Sequence, residues 1–321
     1  MKGRMAWVIV VLASLALLFA MFSPSSAIAQ GALAAADNPA KGGYSIFHET
    51  IVDMRWPDVE KAAKAGAIII VPTAVIEEHG PHMDLGVDTY LGYLRAKLVR
   101  RELERRGVRT VITPPFFWGI NICTGSFPGS FTSRPEVMKE AFLDVLTSVN
   151  GWGFKRIFVL NWHGDAMQNG TLLQALEQAQ SWAINAAYVT TPFYAGRLGL
   201  TGAEKHVIVE NVPPPAGPPP QYLEVHADKG ETGLMAYYYP ELVDVAMAKT
   251  LKPTNLGPKE LGTWRTGGEV AKKITPQGYF GDPAAFDKEK AKAEFESGVK
   301  SAADVIESAV KGTYKPPAKK N

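Results

Sequence analysis

The chain has one cysteine, Cys123, in 321 residues. That excludes an intramolecular disulfide framework and any metal site built on several thiolates. Beyond Phe22 there is no apolar run long enough to cross a bilayer. There is no internal repeat, which sets aside solenoids and propellers. Nor is there a surplus of charge. Without residues 1–29, which carry Lys2 and Arg4, the chain has 32 basic residues against 32 acidic ones. A neutral domain lacks the electrostatic footprint that nucleic acid or an anionic membrane requires. A small-molecule partner remains, on a chain whose 46% apolar content suits a folded domain rather than disorder.

The N-terminus is read as an address. Lys2 and Arg4 precede an apolar run over 6–22, followed by SPSSAIAQ with an A-x-A site before Gln30. This pattern is a signal peptide over 1–29, with a periplasmic or secreted destination and no membrane contact after cleavage. An uncleaved anchor is the alternative, and no cysteine follows the run to support lipid attachment. A flexible leader over 30–43, one domain over 44–312 and a basic tail over 313–321 complete the division.

Within the domain, periodicity predicts helix 57–66 closed by Gly66, strand 67–72, helix 89–107 and strand 109–113. Helix 134–149, capped by Ser133 with Pro135 in its first turn, leads to strand 156–160, helix 167–183 and strand 186–190. This alternation predicts an α/β fold: a three-layer α/β/α sandwich with a mostly parallel central sheet. The PPPAGPPP segment within 199–220 reads as a stiff surface excursion, 251–285 as irregular, and 287–310 as a last amphipathic helix.

Chemistry concentrates in three polar loops. The first, over 77–88, follows an apolar strand and holds Glu77, Glu78, His79, His82, Asp84 and Asp88. The second holds His163 and Asp165, also just past a strand, and the third holds His226 and Glu231. Loops at the carboxyl ends of parallel strands are where α/β proteins place ligands. Imidazole with carboxylate and no thiolate suits zinc, manganese or iron. Glu77, His79, Asp88, His163 and Asp165 are more donors than one tetrahedral ion needs, which favours two divalent metal ions sharing a carboxylate. His226 and Glu231 are then left for proton transfer and orientation.

These residues also resemble a known family. EEHGPHMDLGVDT is similar to the signature of the creatininase family, creatinine amidohydrolases and their relatives. NWHGDAMQNG and EVHADKGETGLM resemble its second and third motifs, and WPDVEKA, PPFFWG, SFPGS and GYFGDP add matches from Trp56 to Pro283. The resemblance implies the creatininase-like α/β/α fold and a homo-oligomer, commonly a hexamer. It implies Glu77 and His163 on one ion, His79 and Asp165 on the other, and Asp88 between them. The ions implied are Zn and/or Mn, with Fe possible. The reaction implied is hydrolysis of a C–N bond in a cyclic or simple, creatinine-like amide by a hydroxide bridging the metals, with His226 passing a proton to the leaving nitrogen. Two alternatives stay open: the same scaffold acting on a formamide, lactam, lactone or peptide, and a secreted binding protein without turnover.

The chain departs from the family pattern at Glu78, Asp84, Trp162 and Ala166, and Cys123 stands where relatives often have His. Glu78 is either a solvated loop residue or a charge beside the ligands, and Cys123 either a buried small side chain or a site-facing thiol. His82 is expected to orient the first loop. Tyr222 corresponds weakly to an aromatic that holds substrate.

Overall fold

Branched apolar runs become strands here because both of their faces are covered. The computed structural model describes residues 47–212 and 220–317. In it β1 (Ile68–Thr73) is buried at every position, as parallel strands roofed by helices must be. It joins β2 (Thr110–Ile112), β3 (Ile157–Asn161), β4 (Ala186–Thr190) and β5 (Val207–Val209) in one sheet of order β2-β1-β3-β4-β5. All four pairings are parallel.

Successive side chains alternate between two cores. Ile68 and Ile70 meet α2 (Val87–Arg105), α6 (Lys229–Tyr238) and α10 (Lys288–Val310). Ile69 and Val71 meet α1 (Trp56–Lys64), α3 (Pro135–Gly151) and α4 (Ala166–Ser181) on the other face. The expected sandwich is therefore present, with a wholly parallel sheet. Leu94 of α2 has no solvent exposure within the first core. Leu94→Ala should cost about 2–5 kcal/mol through lost burial and a residual cavity. At roughly 2–4 °C per kcal/mol, calorimetry should show a midpoint lowered by about 4–20 °C.

Gly66 has φ +77°, the left-handed conformation that ends α1. Ser133 does not cap α3: its hydroxyl donates to the Trp118 carbonyl (3.0 Å), and Arg134 occupies the cap position without a side-chain bond. Proline at the first helical position starts this helix instead. The stretch 251–285, expected to be irregular, contains α8 (Pro258–Trp264) and α9 (Gly268–Ile274). Seven residues are too few to show helical periodicity among so many glycines and prolines. The short α5 (Pro192–Arg197) and α7 (Val245–Ala248) complete the helices used here. The expected signal peptide, the leader, most of the Pro-rich excursion and the end of the tail lie outside the described residues. Among the described residues no helix is long and apolar enough to cross a membrane.

The strand order places the functional region. From β1 the chain goes to β2 on one side, then returns to β3 on the other. Loops leaving β1 and β3 diverge at that switch and open a crevice at the strands' carboxyl ends, the usual ligand position of such sheets. Thr73 at the end of β1 donates to the Asn161 amide oxygen at the end of β3 (3.0 Å), locking the two loop origins together.

Candidate metal centre

Glu77 and His79 leave β1 on an extended loop that turns at Gly80. Gly80 has φ +69°, and a Cβ there would stand 2.9 Å from His82 Nδ1, so the turn requires glycine. The His79 ring is fully buried. Its Nδ1 lies 3.2 Å from the Glu77 carbonyl, which places the proton on that nitrogen. Nε2 then presents a lone pair towards Asp88 Oδ1 (3.5 Å) and Glu231 Oε2 (3.7 Å), and it makes no hydrogen bond. Asp88 sits in the first turn of α2, where the helix dipole favours a carboxylate.

His163 follows β3 by two residues. Its Nε2 donates to the Ile120 carbonyl (3.1 Å), leaving Nδ1 2.9 Å from Glu77 Oε1 and 2.8 Å from Asp88 Oδ2. In a neutral ring with this tautomer, three electron-rich atoms face one another, and only a cation between them relieves the repulsion. A proton is one such cation. Burial alone would lower the His163 pKa, but the Glu77 and Asp88 carboxylates outweigh it and hold it well above 6.5. Burial would likewise raise Glu77, but the His163 and His226 imidazoles outweigh it and hold Glu77 well below the usual carboxylate range. A divalent ion fits the same space with more charge, and must displace the His163 proton to enter.

The donor atoms fall into groups that lie within 4.8 Å of one another: Glu77, Asp88 and His163; His79, Asp88 and Glu231; and Glu77, His79 and His226. The first two share Asp88, with one carboxylate oxygen towards each imidazole. Nitrogen and oxygen donors of this kind suit zinc, manganese or iron. The unpartnered Nε2 of His79 and the donor atoms converging at His163 fit a metal centre.

Four of the five metal donors expected from the sequence, Glu77, His79, Asp88 and His163, stand in these groups. Asp165 does not. Its Oδ1 accepts from the backbone N–H of Met167 (2.7 Å) and Gln168 (3.3 Å), and its Oδ2 from that of Ile122 (2.9 Å). It is the N-cap of α4 and fixes the loop after β2. Glu231, expected to move protons, stands in one of the groups instead. Asp228 caps α6, and Glu231 reaches back from its first turn to accept from the Ala227 N–H (2.7 Å) while facing His79. Burial pushes its pKa up to about 7 against the pull of His79 and His226.

His226 is wedged between the His79 ring, 4.4 Å away, and the Trp264 ring at 5.9 Å. Its Nε2 lies 2.8 Å from the Glu78 carbonyl and 3.4 Å from Glu78 Oε1, while Nδ1 is 3.9 Å from Glu77 Oε1. Burial opposes the charge, yet Glu77 and Glu78 raise its pKa to about 10. Glu78 is therefore no solvated loop residue: it is buried, and Oε2 accepts from the Gly80 N–H (2.9 Å). His82 ties the first loop to α6 through Thr232 (2.8 Å). Cys123 is buried on the cavity wall, its thiol pKa pushed up by burial and then by Asp165 and Glu77. Asp84 is exposed, and Tyr222, half exposed, lies outside the cavity lining.

Glu77, Asp88, His163, His226 and Glu231 line a cavity of about 680 Å³, together with Trp162, Tyr194 and Trp264. Two of the residues that serve it were not expected from the sequence. Buried Thr124 donates its hydroxyl to Glu77 Oε2 and so orients that carboxylate. Tyr194 on α5 brings its hydroxyl next to Gly164, where a Cβ would meet it at 3.3 Å. The hydroxyl-rich loop over 124–133 hinted at the first, and nothing in the sequence marked the second.

A family model described as creatinine amidohydrolase matches residues 52–306. The mycofactocin precursor peptide peptidase of Mycobacterium ulcerans is 24% identical over 221 residues, 67% of this chain and 74% of that protein. The 3-dehydro-scyllo-inosose hydrolase of Thermotoga maritima is 25% identical over 281 residues, 80% of this chain and 81% of that protein. A crystal structure of creatinine amidohydrolase superposes with a TM-score of 0.62 at 20% identity, over 84% of this chain and 99% of its own, which shows the same fold. Solved creatininases include a zinc–zinc form and a manganese form.

Proposed function

Since the chain belongs to the creatininase family of metal-dependent amidohydrolases, we propose that it hydrolyses the C–N bond of a cyclic or simple amide at a centre for two divalent ions. The observation that carries this is Asp88, whose two oxygens face two imidazoles from separate loops. Glu77, Asp88 and His163 would hold one ion, and His79, Asp88 and Glu231 the other, with zinc or manganese as the first choices. Bound divalent cations supply a polarised carbonyl oxygen and a water acidic enough to ionise near neutral pH.

The chain's own residues do the rest. Thr124 aims Glu77, the Ile120 carbonyl sets the His163 tautomer, and the Ala227 N–H holds Glu231. His226, whose Nε2 lies 2.8 Å from the Glu78 carbonyl, is the imidazole placed to pass a proton to the leaving nitrogen. Trp162, packed edge-on against Phe295 at 5.3 Å, and Trp264 form apolar walls that keep bulk water from the reacting bond. A second substrate class, peptides, is favoured by the cavity, whose 680 Å³ accommodates a larger molecule than a single small ring. Export through residues 1–29 and assembly into a homo-oligomer, a hexamer by family resemblance, belong to the same proposal. Intact mass after export and light scattering check them.

The test is a screen of amides, lactams, lactones and short peptides with the purified protein in added Zn²⁺ or Mn²⁺. Hydrolysis should vanish with a chelator and return with metal. Loading at a thousandfold excess over the dissociation constant stabilises the fold by about 4 kcal/mol. At roughly 2–4 °C per kcal/mol, the melting temperature should rise on the order of 10 °C. A protein that binds neither zinc, manganese nor iron and gains nothing from them would refute the proposal.

A further inference from the structure

Three guanidinium groups line the metal cavity: Arg95, Arg197 and Arg265. Arg95 is buried and paired with buried Glu210, so its charge is spent within the fold. Arg197 and Arg265 differ. Both are exposed at the cavity wall, and among the described residues neither guanidinium makes a salt bridge or a hydrogen bond.

Each is linked to the centre through an aromatic neighbour. Arg197 at the end of α5 lies with its Cζ 5.5 Å from the Phe193 and Tyr194 ring centroids. Tyr194 in turn sets its hydroxyl against Gly164, the residue after His163. From the other direction, Arg265 follows Trp264, whose ring packs against His226. The two arginines repel each other as well: burial, and then the Arg197 charge, lower the Arg265 pKa. Two like charges thus line one cavity, beside a centre that is otherwise rich in carboxylates.

A guanidinium offers five N–H donors in a planar fork that matches a carboxylate, and stacking on an aromatic ring holds that fork in place. Glu77, Glu78, Asp88, Asp165 and Glu231 around the centre repel a dianion more strongly than a monoanion, which favours a carboxylate over a phosphate. We propose that Arg197 and Arg265 form an anion subsite selecting amides that carry a carboxylate a few bonds from the scissile C–N bond. The subsite rests on the proposed amide hydrolysis for its purpose, but not for its detection.

The experiment compares N-acetylglycine with its neutral counterpart, in which a methyl ketone replaces the carboxylate. Binding to zinc-loaded protein is measured by calorimetry at low and high ionic strength, and kcat/KM is measured in parallel. The acid should bind at least about tenfold more tightly than the neutral probe, with the preference shrinking as salt screens the arginines. The R197Q/R265Q double variant should lose that preference while its zinc stoichiometry and melting temperature stay at the wild-type values. Equal affinity for the two probes, or no binding of the acid, overturns the subsite. So does a preference that survives in the double variant, since the carboxylate would then sit on the metals. A binding preference without turnover keeps the subsite and counts against amide hydrolysis. Turnover without preference does the reverse.

Discussion

Asp88→Ala is expected to abolish hydrolysis, lowering kcat/KM by roughly a thousandfold or more, the equivalent of about 4 kcal/mol of transition-state stabilisation. The size follows from its position. Asp88 is 2% exposed, and it stands both in the group with Glu77 and His163 and in the group with His79 and Glu231, one oxygen facing each imidazole. Alanine leaves each of those groups with two donors, too few to hold an ion firmly, so both sites are affected by one substitution. Metal analysis of the purified variant should accordingly show zinc or manganese falling from two ions per chain to less than one. The fold itself should persist, because the variant also removes one carboxylate from a crowded buried acidic cluster. Activity unchanged in this variant would refute the shared-carboxylate arrangement.

The second large effect separates two acids that sequence spacing cannot rank. Glu231→Gln keeps the shape of the side chain but removes the charge facing His79. It should release one of the two ions and reduce kcat/KM by about a hundredfold or more. Asp165→Asn should retain both ions. Its cost is structural: one side-chain oxygen still caps α4, but the new NH₂ group faces the Ile122 N–H, for a loss of about 1–2 kcal/mol. Metal content and melting temperature measured on both variants give opposite patterns. If Asp165→Asn loses metal and Glu231→Gln keeps it, the roles assigned to the two residues must be exchanged.

The layered fold was legible because its strands are short, continuous apolar runs that end in polar loops, a pattern that parallel strands covered on both faces impose. The candidate site was legible for the same reason. His79 and His163 follow such runs closely, so their position at the crevice is set by topology. What the sequence could not decide was the part played by an acid near a helix start. Aspartate two residues after a histidine reads as a ligand, yet aspartate before a helix also reads as a cap, and in the structure Asp165 caps. Glu231 presents the converse problem: an acid in a helix's first turn looks like a response to the dipole, and only the fold brings it to His79. Thr124, Tyr194 and the two rim arginines were out of reach because each meets the site through contacts far apart along the chain. The short helices over 258–274 were missed because glycine and proline there start helices too brief to have a period.

The way the donors are spread along the chain also bears on when ions can enter. Glu77, His79 and Asp88 are close neighbours in sequence, whereas His163 and Glu231 arrive only after the β1–β3 pairing and the docking of α6. Parallel pairing of this kind forms late, because long loops must close before any contact rewards them. The nascent segment 77–88 already has histidines and acids able to grip a cation loosely, and ions held by the unfolded chain subtract from the stabilisation the native centre gains. Refolding in excess zinc should therefore be slower than refolding in chelator followed by zinc, with the same final yield of loaded protein. The productive order would be fold first and load second.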